Sequence, residues 1–532
     1  GKAMAKENAA QQNERLKKEK DGLDVLKDIY LYAVLGEEIN PEDIIRFKWY
    51  GLYTQNRNLQ DENDNTLYFM LRVKLEHGSM NLEQMREVSA ISKEYARGTA
   101  DFTTRQDIQF HYIKVVDLPE IFRRLNEVGL STVFAAGDVP RNVTTCPVSG
   151  IEHDEIYDVR PIVDKVNKYL SGNKNLSNLP RKYKVGISGC HKHCMGHEIQ
   201  DLSFTAVVCD CTDKVLFDVS VGGGLASNKR VASHIGFVTP SQVLAIVKAV
   251  STIYRDHGLR ENRRKARLGH LIEEWGVEKF KEEVEKKAKI TFKEEVIVPY
   301  TPYAKREHFG IHDSKEKAKS YIGCAINGGH IGAKGLEDLA NILEKHGATT
   351  IKTTVTQNFV VKDVPTLNAQ ALADELTTIG IDYNPNPFKA RTISCTGLNF
   401  CKFAISETKN KAINLADYLN SKFPNFKETV SISVNGCPNS CAHPHVVDIG
   451  LLGLKVKNSE GVTVPGFELI LGGNLEGAKS SFGEKTKIKF VPEEAEGIVE
   501  KVIQNYINSG ETNLHNYLKE KINDEEFISS LH

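Results

Sequence analysis

The segment HGSMNLEQMREVSAISKEYARGTADFTTRQ, residues 77–106, aligns without a gap with GGHIGAKGLEDLANILEKHGATTIKTTVTQ, residues 328–357. Apolar residues recur at helical spacing in both segments, and three of them coincide in the alignment. The coinciding pairs are Met85 with Leu336, Val88 with Leu339 and Ile91 with Ile342. Self-similarity over this distance predicts a chain built from two copies of one unit, each of about 250 residues.

A second pair of matching segments extends the repeat towards the C-terminal end of each copy. VGISGCHKHCMGHEIQDLSF, residues 185–204, is similar to ISVNGCPNSCAHPHVVDIGL, residues 432–451. VSVGGGL at 219–225 likewise falls on LILGGNL at 469–475. The matching polar positions are Cys190 on Cys437, Cys194 on Cys441 and Asp201 on Asp448. The repeated unit therefore includes a region that carries cysteines.

The local pattern of the first copy predicts alternating strands and helices. Aromatic and β-branched residues favour strands at 46–55, 66–78 and 107–115, and apolar periodicity predicts helices from about Asn81 and at 118–130. This order suggests a split βαβ, ferredoxin-like arrangement, and hence an α+β fold with pseudo-two-fold halves. Residues from Met4 to about 45 read as a mostly helical extension.

Four cysteines in the second copy occur as two close pairs. Five residues separate Cys395 from Cys401, and three separate Cys437 from Cys441. Four thiolates in two pairs suit an iron–sulfur cluster. Zinc is the alternative, although structural zinc pairs usually have two to four intervening residues.

Composition limits what these cysteines can do. A chain of 532 residues implies about three domains, and 40% hydrophobic with 26% charged residues is ordinary for a globular protein. No apolar run approaches about 18 residues, and the charged segment after Met4 argues against a secretory signal. Ten cysteines then suggest a reducing compartment, and we expect a cytoplasmic protein. The net charge of -1 gives no global signal for nucleic acid or membrane.

The two copies differ in their chemistry. The first copy has Thr145 and Ile151 where the second has its first cysteine pair. Its remaining Cys190 and Cys194 could bind metal together with Cys146, but we expect a degenerate ligand loop. The first copy instead carries five cations in or beside predicted strands, an unusual location that suggests an anion site. They are Arg72, Arg105, Arg141, Lys182 and Lys184.

The chain resembles the sirohaem-containing nitrite and sulfite reductases. The resemblance rests on the cysteine spacing, on the phrases CTGLNFC at 395–401, AISETK at 404–409 and NGCPNSC at 435–441, and on the duplication. It extends from about Arg46 to Asn505, which is nearly the whole chain.

The resemblance implies a role for each motif. The four cysteines would bind a [4Fe-4S] cluster, and Cys441 would also be the axial ligand of the sirohaem iron. Substrate would be bound by Arg72, Arg141, Lys182 and Lys184, and Arg105 would contact the macrocycle. The run LRENRRKAR resembles the family's carboxylate-binding segment, although the run alone is equally consistent with an exposed helix face. Its matching residues are Arg263, Arg264, Lys265 and Arg267.

With the resemblance, the repeat divides the chain into five parts. We expect an N-terminal helical extension at 1–45, a ferredoxin-like half-domain at 46–140 and a sirohaem and substrate domain at 141–305. The second copy would supply a ferredoxin-like half-domain at 306–390 and a cluster-binding domain at 391–532, which ends in a helical tail.

The expected activity is ferredoxin-dependent reduction of sulfite, with nitrite as the alternative substrate. Lys184 favours sulfite, because the plant-type nitrite branch tends to have asparagine there. Tyr53 resembles a pocket tyrosine that some sulfite reductases join to a cysteine. Ala136 lies in the region where that cysteine is expected. Cys146, which lies beyond Arg141, is the substitute partner.

The electron donor must be external, since no GxGxxG follows a predicted strand. We expect a ferredoxin, a monomeric enzyme, and a candidate docking patch of Lys402, Lys409 and Lys411, which could equally be a solvated helix face. The alternatives from other classes are an iron–sulfur electron-transfer or sensing protein without sirohaem, and a colourless zinc protein.

Overall fold

The structure is a computed structural model that describes residues 6–57, 60–208, 214–225, 229–294, 298–395, 408–437 and 442–532. Cys401 and Cys441 of the predicted cluster set lie outside the described residues. Among the residues that are described, no helix has the length and apolar character needed to cross a membrane.

The N-terminal extension is helical, as predicted. A capping box between Asn8 and Gln11 begins the first helix, and the left-handed Gly36 ends the second. These helices are α1 (Ala9–Glu19), α2 (Leu26–Leu35) and α3 (Pro41–Arg46).

The first ferredoxin-like half follows as one antiparallel sheet covered by helices. Its elements are β1 (Leu52–Thr54), β2 (Phe69–Val73), β3 (Ser79–Asn81), α4 (Leu82–Tyr95), β4 (Asp101–Phe102), β5 (Ile108–Ile113) and α5 (Leu118–Glu127). The strand order is β1-β2-β5-β4. One strand prediction is wrong at its start, because Phe47–Tyr50 forms a 3-10 helix that buries Phe47, Trp49 and Tyr50.

The next region is a larger sheet with helices packed against it. Its elements are α6 (Arg160–Leu170), β6 (Val185–Ser188), β7 (Leu202–Val208), β8 (Val215–Val221), β9 (Ser233–Val238), α7 (Val243–His257), α8 (Leu268–Trp275) and α9 (Val277–Ala288). β6 runs parallel to β7, and the remaining pairs of the sheet β6-β7-β8-β9 are antiparallel.

The second copy repeats both arrangements. Its ferredoxin-like half has β10 (Gly310–Asp313), β11 (Lys319–Cys324), α10 (Gly332–Lys345), β12 (Thr350–Thr353), β13 (Phe359–Pro365) and α11 (Ala369–Thr377). The region after it has α12 (Pro387–Ala390), β14 (Thr392–Ser394), α13 (Lys409–Lys422), β15 (Ile432–Asn435), β16 (Ile449–Lys457), β17 (Thr463–Leu471), β18 (Glu484–Phe490), α14 (Ala495–Ser509), α15 (Leu514–Lys521) and α16 (Glu525–Ser530). β14, β15 and β16 are parallel, and β17 and β18 continue the sheet antiparallel.

The two ferredoxin-like halves exchange strands. β3 of the first half pairs with β12 of the second, in the sheet order β10-β11-β13-β12-β3. The reciprocal contact is a bridge between Asp101 and His330. Under the sequence repeat these two residues correspond to Lys352 and Ser79, and Lys352 and Ser79 also pair with each other. Each half therefore completes the other's sheet, and the apolar residues of both halves form one continuous core.

Helices α4 and α10 pack together within this core. The six residues that the alignment paired are all buried, with Ile342 the most exposed at 8%. The hydroxyl of Ser89 donates a hydrogen bond to the Ala333 carbonyl at 2.6 Å, so the helices are also joined by a buried polar contact. The helical face predicted from the repeat is thus the contact between the copies.

We expect Leu336→Ala to lower the free energy of unfolding by about 2–5 kcal/mol, because it leaves a cavity in the shared core. Leu367→Ala removes the same atoms from a side chain that is 98% exposed, and we expect a change within about 0.5 kcal/mol. Thermal unfolding followed by circular dichroism measures both variants. Equal melting temperatures would contradict a shared core at α10.

Candidate active site

Two parallel strands position the two described cysteines of the predicted cluster set. Cys395 directly follows β14, and Cys437 lies two residues after β15. The strands pair in register from Thr392 with Ile432 to Ser394 with Val434. Because parallel strands end at the same edge of a sheet, both thiols lie at one edge, and both are buried.

The Cys395 sulfur accepts a hydrogen bond from the backbone. The amide of Gly436 donates to Cys395 Sγ at 3.0 Å, whereas the Thr408 hydroxyl, 3.5 Å from the same atom, donates to the Cys395 carbonyl at 2.7 Å. A backbone amide directed at sulfur favours a thiolate, which is the form that binds iron. The two described cysteines therefore fit a cluster; Cys401 and Cys441 stay predictions.

The first copy has the same framework around its own edge. The Asp201 carboxylate accepts from the Lys184 amide at 2.7 Å, and the Asp448 carboxylate accepts from the Ser431 amide at 2.9 Å. These contacts are equivalent under the sequence repeat. In place of β14, the segment before Cys146 pairs with β6 through Thr144, whose amide donates to the Val185 carbonyl at 3.1 Å.

The predicted substrate cations gather beside this edge. Arg72 lies on β2, donates to Gln109 and stands 5.2 Å above the Tyr53 ring. The buried Arg141 donates to the Gly137 carbonyl at 2.9 Å. Lys182 and Lys184 are half-buried on either side of the fully buried Tyr183, consistent with one shared face.

The pKa shifts indicate how close these cations lie to one another. Burial lowers the pKa of Lys184 well below its ordinary value, and the charges of Lys182 and Arg267 lower it further. Arg105 and Arg141 act on Lys184 in the same direction. Burial is also the main cause that lowers the pKa of Arg141, with Arg72 adding to it. The cations therefore form one cluster rather than separate surface residues.

Arg105 is buried and is held by two protein groups. Its guanidinium donates to Gln200 at 2.5 Å and to the Val185 carbonyl at 2.8 Å, while its Nε is buried without a hydrogen-bond partner among the described residues. Burial lowers the pKa of Arg105 to about 9. A buried cation with an unused donor suits the carboxylates of a sirohaem, and so the site fits that group.

The four residues predicted to bind the sirohaem carboxylates fall into two pairs, one facing the interior and one exposed. Arg263 donates twice to the buried Asp138 at 2.9 Å, and Arg267 donates to Asp201 at 2.8 Å. Arg264 and Lys265 are exposed. The run is therefore a 3-10 turn, Arg263–Lys265, of which only part faces the interior, and its role towards sirohaem stays a prediction.

Sequence reasoning missed several charged residues at this site. Lys48 and Arg181 lie within electrostatic reach of Asp138 and Arg263, and burial lowers the pKa of both cations. Neither has a sequence signal beyond its charge. Burial also raises the pKa of Asp107 to about 6, although neighbouring cations oppose the shift.

Arg391 joins the second copy to the cation cluster. It is the repeat counterpart of Arg141, so the alignment itself could have identified it. Arg391 pairs with Glu307 and lies 4.3 Å from the Tyr303 ring, yet its Nε and Nη2 are buried without partners among the described residues. Burial, followed by the charges of Lys184 and Arg391, lowers the pKa of His443 to about 3.

The structure corrects two secondary predictions. Lys409 is buried and donates to the Gly328 carbonyl at 2.7 Å, and Lys411 pairs with Glu496 at 2.9 Å, so neither is an open docking residue. Lys402 lies outside the described residues.

Cys146 lies in a buried cluster with Cys190 and Cys194, which argues against it as the partner of Tyr53.

The sequence of the protein matches two family models. One, described as Nitrite and sulphite reductase 4Fe-4S domain, matches residues 136–292 and 388–523. The other, described as Nitrite/Sulfite reductase ferredoxin-like half domain, matches residues 60–128 and 312–379. The chain belongs to the nitrite and sulphite reductase family. The resemblance drawn from the cysteine motifs and the duplication is therefore confirmed.

Individual members of this reductase family are similar over almost the whole chain. Sulfite reductase [ferredoxin] 1 of Mycolicibacterium paratuberculosis is 34% identical over 504 residues, covering 91% of this chain and 90% of its own. The ferredoxin–nitrite reductase of Leptolyngbya laminosa is 35% identical over 473 residues, covering 87% and 90%. The structure of Mycobacterium tuberculosis NirA protein superimposes with a TM-score of 0.90 at 32% identity, covering 99% and 98%.

These matches confirm the predicted duplicated α+β fold with ferredoxin-like halves. As a member of the reductase family, the protein is an oxidoreductase whose cofactors are a [4Fe-4S] cluster and sirohaem. Which residues hold each cofactor stays a prediction.

We expect Cys395→Ala to remove the cluster, because it deletes a thiolate at the edge of β14. The iron content per chain and the visible spectrum measure the loss. Cys324→Ala is the matched control, since Cys324 is a buried thiol on β11 outside the predicted ligand set. Full iron content in Cys395→Ala would remove Cys395 from that set.

Proposed function

We propose that the protein reduces sulfite to sulfide with six electrons supplied by ferredoxin. The observation that carries this proposal is the cluster of partly and fully buried cations around Arg141 and Lys184, where burial and the neighbouring charges of Lys182, Arg105 and Arg141 lower the pKa of Lys184. Such a cluster is stabilised by a bound anion. Relatives named sulfite reductase [ferredoxin] at 34% identity support the choice of donor and substrate.

The cations bind and polarise the substrate. Arg72 and Arg141 keep their charge at every working pH and offer several donors to the oxygens of a small anion. Fixed positive charge also stabilises the negative charge that accumulates on oxygen as its bond to sulfur breaks. Arg72 is held by Gln109 and by Tyr53, so its direction is set before substrate arrives.

Lys184 supplies a proton. In the free site its pKa is depressed, so the amine loses its proton more readily than an ordinary lysine. A bound anion offsets the repulsion from Lys182 and Arg141 and restores the ammonium form. Substrate binding therefore takes up a proton at Lys184, where it can be donated to a departing oxygen.

When bound, the sirohaem and the [4Fe-4S] cluster would pass the electrons of ferredoxin to the substrate. The sets that we propose to hold them follow the sequence prediction. The cluster ligands are Cys395, Cys401, Cys437 and Cys441, with Cys441 shared with the sirohaem. The residues that face the carboxylates are Arg105, Arg263, Arg264, Lys265 and Arg267. The unused donor of Arg105 is consistent with this set.

Sulfite is the first choice of substrate, and nitrite is the alternative. Sulfite carries more negative charge and one more oxygen than nitrite, so a site with two lysines beside two arginines suits it better. Relatives named ferredoxin–nitrite reductase at similar identity keep nitrite as the second candidate. That the enzyme acts as a cytoplasmic monomer stays a prediction from the sequence.

Steady-state assays with reduced ferredoxin distinguish the substrates. We expect kcat/KM for sulfite to exceed that for nitrite, because the site matches the more highly charged anion. The same enzyme preparation and the same donor serve for both anions. A larger kcat/KM for nitrite would overturn the choice of sulfite.

The proton role of Lys184 predicts a pH dependence. As pH rises through its depressed pKa, Lys184 loses its charge, so kcat/KM falls. Lys184→Arg keeps the charge and should flatten the profile, and Lys184→Ala should lower turnover by about 10²-fold with unchanged cofactor spectra. Nitrite is the better probe, because sulfite itself takes up a proton near neutral pH.

Lys174→Arg is the control, since Lys174 is exposed and should leave the profile unchanged. Identical pH profiles for the wild type and Lys184→Arg would remove Lys184 as the proton donor.

A further inference from the structure

Three cysteines of the first copy and a histidine of the second converge in the interior. Cys146, Cys190, Cys194 and His308 are all buried, and their sulfur and nitrogen atoms lie within 4.8 Å of one another. The Nε2 atom of His308 lies 3.3 Å from Cys190 Sγ and 3.6 Å from Cys146 Sγ. We name this set the thiol–histidine quartet.

The quartet has the chemistry of a structural zinc site. Three thiolates and one imidazole form a common tetrahedral ligand set for zinc. Three residues separate Cys190 from Cys194, a spacing within the usual range for a zinc-binding pair. Buried cysteines are often simply apolar filling, but that role does not require an imidazole nitrogen directed at two sulfurs.

The distances favour one ion over a cluster. With zinc–sulfur bonds of about 2.3 Å and zinc–nitrogen bonds of about 2.0–2.1 Å, tetrahedral ligands lie roughly 3.5 to 4 Å apart. The two measured separations between His308 and the sulfurs are close to this range. In a [4Fe-4S] cluster each thiolate binds a different iron, which would hold the sulfurs further apart.

Neighbouring groups support the quartet from outside. The Lys192 amide donates to Cys190 Sγ at 3.3 Å, which favours the thiolate form. Glu152 is buried, and its Oε2 atom lies 3.9 Å from Nδ1 of His308 and 4.0 Å from Cys190 Sγ. At these distances the carboxylate borders the quartet and is too far from the ring for a hydrogen bond.

We infer that the thiol–histidine quartet of Cys146, Cys190, Cys194 and His308 binds one structural zinc ion. The ion joins three separate segments: the loop after Thr144, the loop after β6, and the chain that enters β10. It therefore fixes the second ferredoxin-like half against the first copy's larger sheet. Under the sequence repeat, it occupies the position that corresponds to the [4Fe-4S] cluster of the second copy.

Metal analysis of the holoenzyme, prepared without a polyhistidine tag, tests this inference. We expect about one zinc per chain alongside about five irons, the latter from one cluster and one sirohaem. X-ray absorption at the zinc edge should show three sulfurs at about 2.3 Å and one nitrogen at about 2.0–2.1 Å. Both measurements are made on wild-type protein, so they do not depend on a variant folding.

Variants then assign the ligands. Cys194→Ser and His308→Gln should each lower the zinc content from about one to below about 0.2 per chain, with iron and the sirohaem spectrum unchanged. The matched controls are Cys324→Ser, a buried thiol elsewhere, and His312→Gln, an exposed histidine four residues after His308. Both controls should keep their zinc.

Three results would overturn the zinc site. If the wild-type enzyme contains no zinc and the thiols of the quartet are free or oxidised, the four residues only fill the interior. Additional iron that is lost in Cys194→Ser would indicate a second cluster. Zinc that persists in both Cys194→Ser and His308→Gln would lie elsewhere. None of these results depends on which anion the enzyme reduces.

Discussion

Repulsion among buried cations is the constraint on which the rest of this structure depends. Arg105 and Arg141 are buried beside the half-buried Lys184, and burial and the charges of neighbouring cations lower the pKa of Lys184 and of Arg141. A carboxylate can neutralise such a charge within the protein, as Asp201 does for Arg267. Arg105 and Arg141 have no carboxylate partner in the described part of the chain, so an anionic cofactor bound beside them would make the fold more stable by ordinary linkage.

A buried carboxylate of the protein neutralises some of the neighbouring cations. Asp138 accepts from Arg263 and from Lys17, and these charges lower the pKa of Asp138 although its burial opposes the shift. Lys17 belongs to α1, so the N-terminal extension is held to the site by charge. The extension thus contributes to the electrostatics of the first copy rather than only covering it.

The sequence predicted most of this arrangement because the repeat encodes it twice. The alignment of Met85 with Leu336 identified the buried helices, and that of Asp201 with Asp448 identified equivalent backbone contacts. Strand propensity failed at Phe47–Tyr50, where aromatic residues suit a strand but are buried in a 3-10 helix. Local preference is weak evidence wherever tertiary burial decides.

His308 could not be identified as a candidate ligand from the repeat or from a sequence motif. It lies 118 positions after Cys190, outside both aligned cysteine segments, and only the folded chain brings its ring to the sulfurs. From the sequence, the loss of the first ligand pair at Thr145 and Ile151 indicated a degenerate loop. The structure shows that Cys146, one position beyond Thr145, lies beside the retained pair.

A duplicated metal loop can diverge without losing its thiols. In the second copy, parallel strands end at cysteines that suit a cluster, whereas in the first copy the equivalent segments carry Arg141, Lys184 and three cysteines of the quartet. A cysteine displaced by one position and a histidine from the next domain bring the ligands closer together, which favours one ion over four irons. Under the zinc inference, the first copy has given up electron transfer while its loops stay fixed near Arg141 and Lys184, the residues that we propose bind the anion.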